Sequence, residues 1–341
     1  LTINSKAKCA WLLLALFIYS CIFALPDYYT LWVPVNYEGA DNSGYQPKTS
    51  LSKYQPYTSL SSETPLRIAI SSDPHFGREE SNLNATKEII ETINNTIPAF
   101  HAFFVLGDWV EYGFLESQWI QCREVLAESE NVPIIPLMGN HDDLMNGREK
   151  FLHYLIPGSS MENERKILWQ RIDLGPVHFI KLNLMWGTED WGEDTQRWLE
   201  DELASIPSEE WVIVLSHCFM YSSGNYRYGV PWFDHPETTT TVAPILEKYG
   251  VDVCVSGHNH HMEILEKEGI HYVVAGAFGG VPTSGAFDKV SDYSIWYLRG
   301  KHGFVDLMIY PEEIELAFRD QKGNLLQSFT IFQNANKARV Q

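Results

Sequence analysis

The sequence predicts an α/β fold, and three observations carry that expectation. From Leu66 onward, short apolar runs alternate with stretches whose apolar residues recur at helical spacing. Two of those stretches, "LNATKEIIETI" and "TQRWLEDELASI", suit the helical crossovers that parallel strands require. The third observation is bulk: 341 residues, 45% hydrophobic, with 11 Trp, 17 Tyr and 17 Phe, supply a large core and exclude disorder for most of the length.

Five of the runs end on polar side chains of ligating type. "LRIAIS" leads to Asp73 and His75, "AFFVLG" to Asp108, "VPIIPLMG" to Asn140 and His141, "WVIVLS" to His217, and "VDVCVSG" to His258 and His260. In open α/β sheets ligands bind outside the carboxyl ends of the strands, so these side chains are expected to converge on one edge of the sheet. A single Asp or His after a strand is more often a turn residue or a helix cap. Five consecutive strand ends, none with an apolar exit, are a different matter. Asp73, Asp108, Asn140, His75, His217, His258 and His260 form a nitrogen and oxygen shell suited to divalent Mn, Fe, Zn, Ni or Co rather than to thiolate-seeking metals or a calcium cage. Seven donors exceed what one tetrahedral or octahedral ion can use, and they suit two ions sharing a bridging carboxylate.

A net charge of −19 argues against a nucleic-acid scaffold, because affinity for a polyphosphate rests on Lys and Arg. The cysteines Cys9, Cys21, Cys122, Cys218 and Cys254 form no CxxC pair and read as mostly free thiols.

The N-terminal region has its own composition. Residues 1–8 form a basic flank with Lys6 and Lys8, and residues 9–25 are apolar and uncharged, a length between a signal-peptide core and a spanning helix. The charge order places the rest of the chain outside the cytoplasm, anchored through 9–25 or secreted after cleavage. Residues 26–64, with the duplicated "YQPKTSLSK" and "YQPYTSLSS", read as an extended linker. A domain at 65–333 and a tail at 334–341 complete the organisation.

The motifs "DPH" at 73–75, "GDWVE" at 107–111, "GNHD" at 139–142, "SH" at 216–217 and "GHNH" at 257–260 resemble, in order and in full, those of the calcineurin-like metallophosphoesterase superfamily. The resemblance implies two packed mixed β-sheets flanked by helices, an α-β-β-α sandwich, with "IHYVVAG", "SIWYLR", "FVDLMIY", "EIELAF" and "LQSFTIF" supplying the second sheet. It implies one metal on Asp73, His75 and His260, another on Asn140, His217 and His258, and Asp108 between them. A bridging hydroxide would attack a small phosphoester, mono or di, and His141 would be the general acid. Glu111 falls where many members carry an Asp that orients this His, and Asp142 is a competing partner. A tyrosinate three residues after the bridging Asp and the lack of a histidine matching His75 mark the purple acid phosphatases. Glu111 and His75 therefore make the chain look more like the cyclic-nucleotide phosphodiesterase branch.

Three further features remain open. The stretch "CFMYSSGNYRYGVPWFDHP" reads either as a lid whose Tyr226, Arg227 and Trp232 contact substrate or as a loop packed on the domain. His261 has no place in the motif and reads as an exposed or packing residue. Two other function classes compete: a Cys218–His217 nucleophilic pair, and a catalytically weak, metal-stabilised extracytoplasmic binding protein.

Overall fold

The computed structural model describes residues 60–333, apart from 62, 130, 157 and 228. The flank 1–8, the segment 9–25, most of the linker 26–64 and the tail 334–341 lie outside the described residues. Among the described residues no helix is long and apolar enough to cross a membrane.

Two sheets carry the architecture. In the first, β1 (Leu66–Ser71), β2 (Ala102–Val105) and β3 (Ile134–Pro136) are parallel. On the far side of β1 the sheet continues antiparallel through β13 (Gly303–Ile309), β14 (Glu313–Asp320) and β15 (Leu325–Phe332). The second sheet runs in the order β12 (Ser294–Leu298), β10 (Met262–Lys267), β11 (Ile270–Ala275), β9 (Val253–Ser256), β6 (Trp211–Leu215), β5 (Val177–Lys181) and β4 (Gln170–Leu174). Its middle strands β11, β9, β6 and β5 are parallel.

The five motif strands are thus divided between two sheets, three in the first and two in the second. The expectation of one sheet edge is corrected accordingly. The C-terminal runs are divided as well: "IHYVVAG" and "SIWYLR" join the motif strands β6 and β9, and the last three runs join β1. The physical reason is burial on both faces. Ile68, Ile70, Phe104, Phe179, Ile213, Val255 and Leu307 fill the layer between the sheets, where Phe104 stacks on Phe179 at 4.8 Å. Ala69, Phe103, Val105, Val212 and Val214 belong to the other core, with helical Ile89, Ile93 and Trp119. Such strands read as continuous apolar runs with no alternation to tell one sheet from the other.

The helices are α1 (Leu83–Asn95), α2 (Glu116–Leu126), α3 (Gly147–Leu155), α4 (Glu164–Leu168), α5 (Glu193–Ser205), α6 (Pro236–Thr241) and α7 (Ala243–Lys248). In α1, Ala85, Ile89, Ile90 and Ile93 are buried at helical spacing. Asn82 caps this helix, its side chain accepting from Ala85 N at 3.1 Å. Of the 218–236 stretch, Phe219 to Ser223 are buried, and β7 (Asn225–Arg227) pairs antiparallel with β8 (Val230–Trp232).

Candidate metal centre

Each motif residue follows a strand of the parallel core: Asp73 and His75 after β1, Asp108 after β2, Asn140 and His141 after β3, His217 after β6, His258 and His260 after β9. The loops are tied together by main-chain bonds, with Asp73 N donating to Gly107 O and His75 N to Asp108 O, both at 3.0 Å. Bonds also cross from one sheet's loops to the other's. His258 N donates to Asp73 Oδ2 at 2.9 Å, and within the first sheet His141 N donates to Asp108 Oδ1 at 2.9 Å. A Cβ on Gly139 would collide with Asp108, and one on Gly257 with Ser72 and Asp73, so glycine is required for these approaches. Asp73, His75, Asp108, His258 and His260 all have positive φ, between 47° and 67°. Three clusters result: Asp73, His75 and His260; His75, Asp108 and His141; and Asp108, His217 and His258, the ligand atoms of each lying within 4.8 Å of one another.

The outer hydrogen bonds fix which nitrogen faces inward. A carbonyl or carboxylate only accepts, so the ring Nδ1–H groups of His217, His260 and His75 donate to Leu106 O at 2.7 Å, Val281 O at 2.8 Å and Glu111 Oε2 at 2.8 Å. In the neutral rings the Nε2 atoms then carry lone pairs. His75 Nε2 and His260 Nε2 face each other at 3.1 Å. His217 Nε2 lies 3.0 Å from Asn140 Oδ1, 3.0 Å from His258 Nδ1 and 3.3 Å from Asp108 Oδ2. Asp73 Oδ1 is buried with His260 Nε2, another lone pair in the neutral ring, 3.2 Å away. Acceptors pointed at acceptors repel unless a proton or a cation sits among them, so the donor set fits a pair of metal ions, with outer bonds of the kind that orient ligating histidines.

The electrostatics have the same origin. Burial alone raises Asp73, but His260 outweighs it and the carboxyl falls to about 2. Burial likewise opposes the charge on Asp108, yet the His217 beside it drives that carboxyl well below its ordinary value. Against the same burial, the Asp108 charge lifts His217 to about 9. His258, buried next to His217, is pushed well down.

The residues expected to assist the chemistry divide. His141 stands edge-on to His75 at 4.7 Å, and its Nδ1–H donates to the Glu111 main-chain carbonyl at 2.7 Å, leaving Nε2 for a substrate. The Glu111 carboxylate bonds His75; its Oε2 is 3.9 Å from His141 Nδ1 and 3.7 Å from Arg78. Asp142 is fully buried, and its two oxygens accept from Val110 N at 3.1 Å and Gly139 N at 2.8 Å, so it braces the loops rather than the His141 ring. Trp232 stacks on His258 at 4.9 Å, with the Arg227 guanidinium 5.4 Å from its ring, while Tyr226 turns to Phe233 at 5.1 Å.

Other expectations change. Cys122, Cys218 and Cys254 are free and buried. Cys218 Sγ donates to Trp186 O at 3.2 Å and burial pushes its thiol far up, which removes the nucleophilic pair with His217. His261 is buried against Glu263, 2.9 Å away. The stretch "NLMWGTEDWGED" at 183–194 was open between substrate contact and packing in the same way as 218–236, and its two Trp-Gly steps gave no sign that Trp186 rather than Trp191 would reach the centre. A cavity of about 500 Å³ lined by Arg148, Asn183 and Asp190 includes none of the seven candidate ligands, so volume alone does not mark the centre.

Residues 66–262 match the calcineurin-like phosphoesterase family, more than half of the chain. The chain belongs to the calcineurin-like phosphoesterases. Among curated relatives, probable inactive purple acid phosphatase 27 of Arabidopsis thaliana is 27% identical, over 76% of this chain and 47% of that protein. A nucleotide pyrophosphatase/phosphodiesterase of Hordeum vulgare is 25% identical, over 74% of this chain and 76% of that protein. The chain therefore spans about half the length of the first of these phosphoesterases. A solved structure of purple acid phosphatase PPD1 from yellow lupin shares the fold at a TM-score of 0.68, with 23% identity, covering 83% of this chain and 56% of that one.

The similarity to the Arabidopsis purple acid phosphatases overturns the assignment to the cyclic-nucleotide phosphodiesterase branch: this phosphoesterase is similar to purple acid phosphatases. The assignment rested on His75 and Glu111, and those side chains bond to each other at 2.8 Å. Two touching positions are one local difference, and they weigh less than similarity along three quarters of the chain.

Proposed function

We propose that the chain hydrolyses a small phosphoester at a two-metal centre. Asp73, His75 and His260 would hold one divalent transition-metal ion and Asn140, His217 and His258 the other, with Asp108 placed between the two groups. The observation that supports this is the set of inward lone pairs, with Asp108 Oδ2 3.5 Å from His75 Nε2 and 3.3 Å from His217 Nε2. When bound, such ions neutralise phosphoryl oxygens and acidify water enough for it to attack phosphorus near neutral pH.

The protein's own groups do the rest. With Nδ1–H held on the Glu111 carbonyl, the protonated His141 ring delivers its Nε2 proton to the departing oxygen as the P–O bond breaks, and the alcohol leaves neutral. Glu111 holds His75 in the tautomer that presents Nε2 inward. Arg227 and Trp232, with Tyr226 on the same hairpin, border the His258 side and take the organic part of the substrate. The catalytic domain is 65–333. It works outside the cytoplasm, joined by the 26–64 linker to the 9–25 anchor or signal.

The test uses the full chain loaded with Mn²⁺, matched mono- and diesters, and Asp108→Asn beside it. Turnover that disappears in the variant supports the hydrolase. Two bound metals per chain without turnover of any ester supports instead the metal-stabilised binding protein, a reading favoured by the Arabidopsis relative, a probable inactive purple acid phosphatase.

A further inference from the structure

Trp186 is the one tryptophan among the described residues that stands exposed, at 48%. Its main chain is fixed nonetheless. Trp186 N donates to Glu189 Oε1 at 2.7 Å, Gly187 N to Glu189 Oε2 at 2.8 Å, and Trp186 O accepts from Cys218 Sγ at 3.2 Å. Thr188 Oγ1 adds a bond to Glu237 Oε2 at 2.8 Å. A large apolar ring is thus held in water by a rigid loop, at a cost in hydration that packing within the chain does not remove.

Its neighbours identify the place. The indole lies edge-on to His258 at 5.7 Å and 80°, and edge-on to Trp232 at 5.9 Å and 85°. Trp232 in turn stacks on His258, and Asn259 Nδ2 ties the Trp232 carbonyl at 3.3 Å. Two indoles at right angles therefore form a corner at the His258 end of the centre, whereas His141 stands beside His75 in a different cluster. Such a corner offers a planar ring one indole face to lie on and a second to abut, and the Arg227 guanidinium beside Trp232 favours a ring near negative charge.

We infer that Trp186, with Trp232, is a specificity-determining wall that selects phosphoesters carrying a planar aromatic ring, a nucleobase or an aryl group, over alkyl phosphoesters. The inference rests on the hydrolase reading. Stacking of a base on an aromatic side chain is worth about 1–3 kcal/mol by alanine substitution, about 5- to 150-fold.

The experiment compares full-length wild type, Trp186→Ala and Trp186→Phe, each loaded with Mn²⁺. It measures kcat and KM for phenyl phosphate and glycerol phosphate, and calorimetric binding of the non-hydrolysable phenylphosphonate and methylphosphonate. Metal content and Tm serve as folding controls, since the exposed ring can be removed without opening the core. The expected result is a rise of at least about 5-fold in KM and Kd for the phenyl compounds in Trp186→Ala. Glycerol phosphate and methylphosphonate should be unchanged, and Trp186→Phe should recover part of the loss. Equal shifts for both classes, or none, overturn the wall while leaving the hydrolase intact. Wild type that turns over neither ester overturns the hydrolase reading and the wall together.

Discussion

His258 and His260 face the candidate centre, while His261, the next residue, is bound into a network around Glu263. His258 and His261 are buried and His260 is partly so, and both groups bring imidazole next to carboxylate. In the Glu263 network every acceptor meets a donor: the carboxylate receives His261 Nε2 at 2.9 Å, Ser223 N at 2.7 Å and the hydroxyls of Ser223 and Ser294 at 2.5 and 2.6 Å. In the centre, by contrast, Nε2 meets Nε2, and Asp73 Oδ1 faces only the His260 Nε2, 3.2 Å away. The difference separates a self-satisfied buried histidine from a histidine built for a cation. Neither burial nor residue type tells them apart; the direction of the second ring nitrogen does.

The largest expected effect lies on the centre. Asp108→Asn is expected to lower phosphoester turnover by more than about 10³-fold, about 4 kcal/mol, with loss of bound metal measured by elemental analysis. Retention of both metals and rate would break the contrast at its root. Next, His141→Ala should cost about 10²–10⁴ on an alkyl ester and far less on a nitrophenyl ester, whose leaving group needs no proton. Equal losses on the two substrates would remove the acid role.

The Glu263 network should respond in stability instead. Glu263→Ala takes the acceptor from His261 Nε2, Ser223 N and the Ser223 and Ser294 hydroxyls, and is expected to cost about 3–5 kcal/mol in denaturant unfolding, with or without chelator. His260→Ala sharpens the contrast, because its effect should depend on metal: a large fall in Tm when metal is loaded, and a smaller fall after chelation, where the buried Asp73 carboxylate loses His260 alone.

The smallest effect is a pH dependence. Burial raises Glu263, but His261 and the serines outweigh it and hold the carboxyl below its ordinary 4.5. A group lowered on folding contributes stability above its unfolded pKa and loses it as pH falls through the folded value. The stability gap between wild type and Glu263→Ala should therefore be full above about pH 4.5 and shrink below it. A gap that grows on acidification would reverse the assignment of charge.

Much of this was legible in the chain. The motif strands and their polar exits stood out because a run such as "WVIVL" gains from burial on both faces, whereas the Ser216 and His217 that follow it are polar. Which sheet each run joins was not legible, since β1 and β6 read alike while pairing in different sheets. Long-range pairs were hidden for the same reason: nothing near Glu111 announces that its carboxylate will bond His75, 36 positions away, rather than the His141 ring. His261 and Glu263 were closer to readable, being two apart in an extended run and so on one side of it.

The left-handed backbone at Asp73, His75, Asp108, His258 and His260 sets function against thermal endurance. A residue with a Cβ in that region costs about 1–3 kcal/mol, and glycine relieves it. Selection for heat resistance alone would therefore drift toward glycine at these strand ends, and each step gained would delete a donor from the centre. The most durable versions of this fold should be the ones that have forgotten their chemistry.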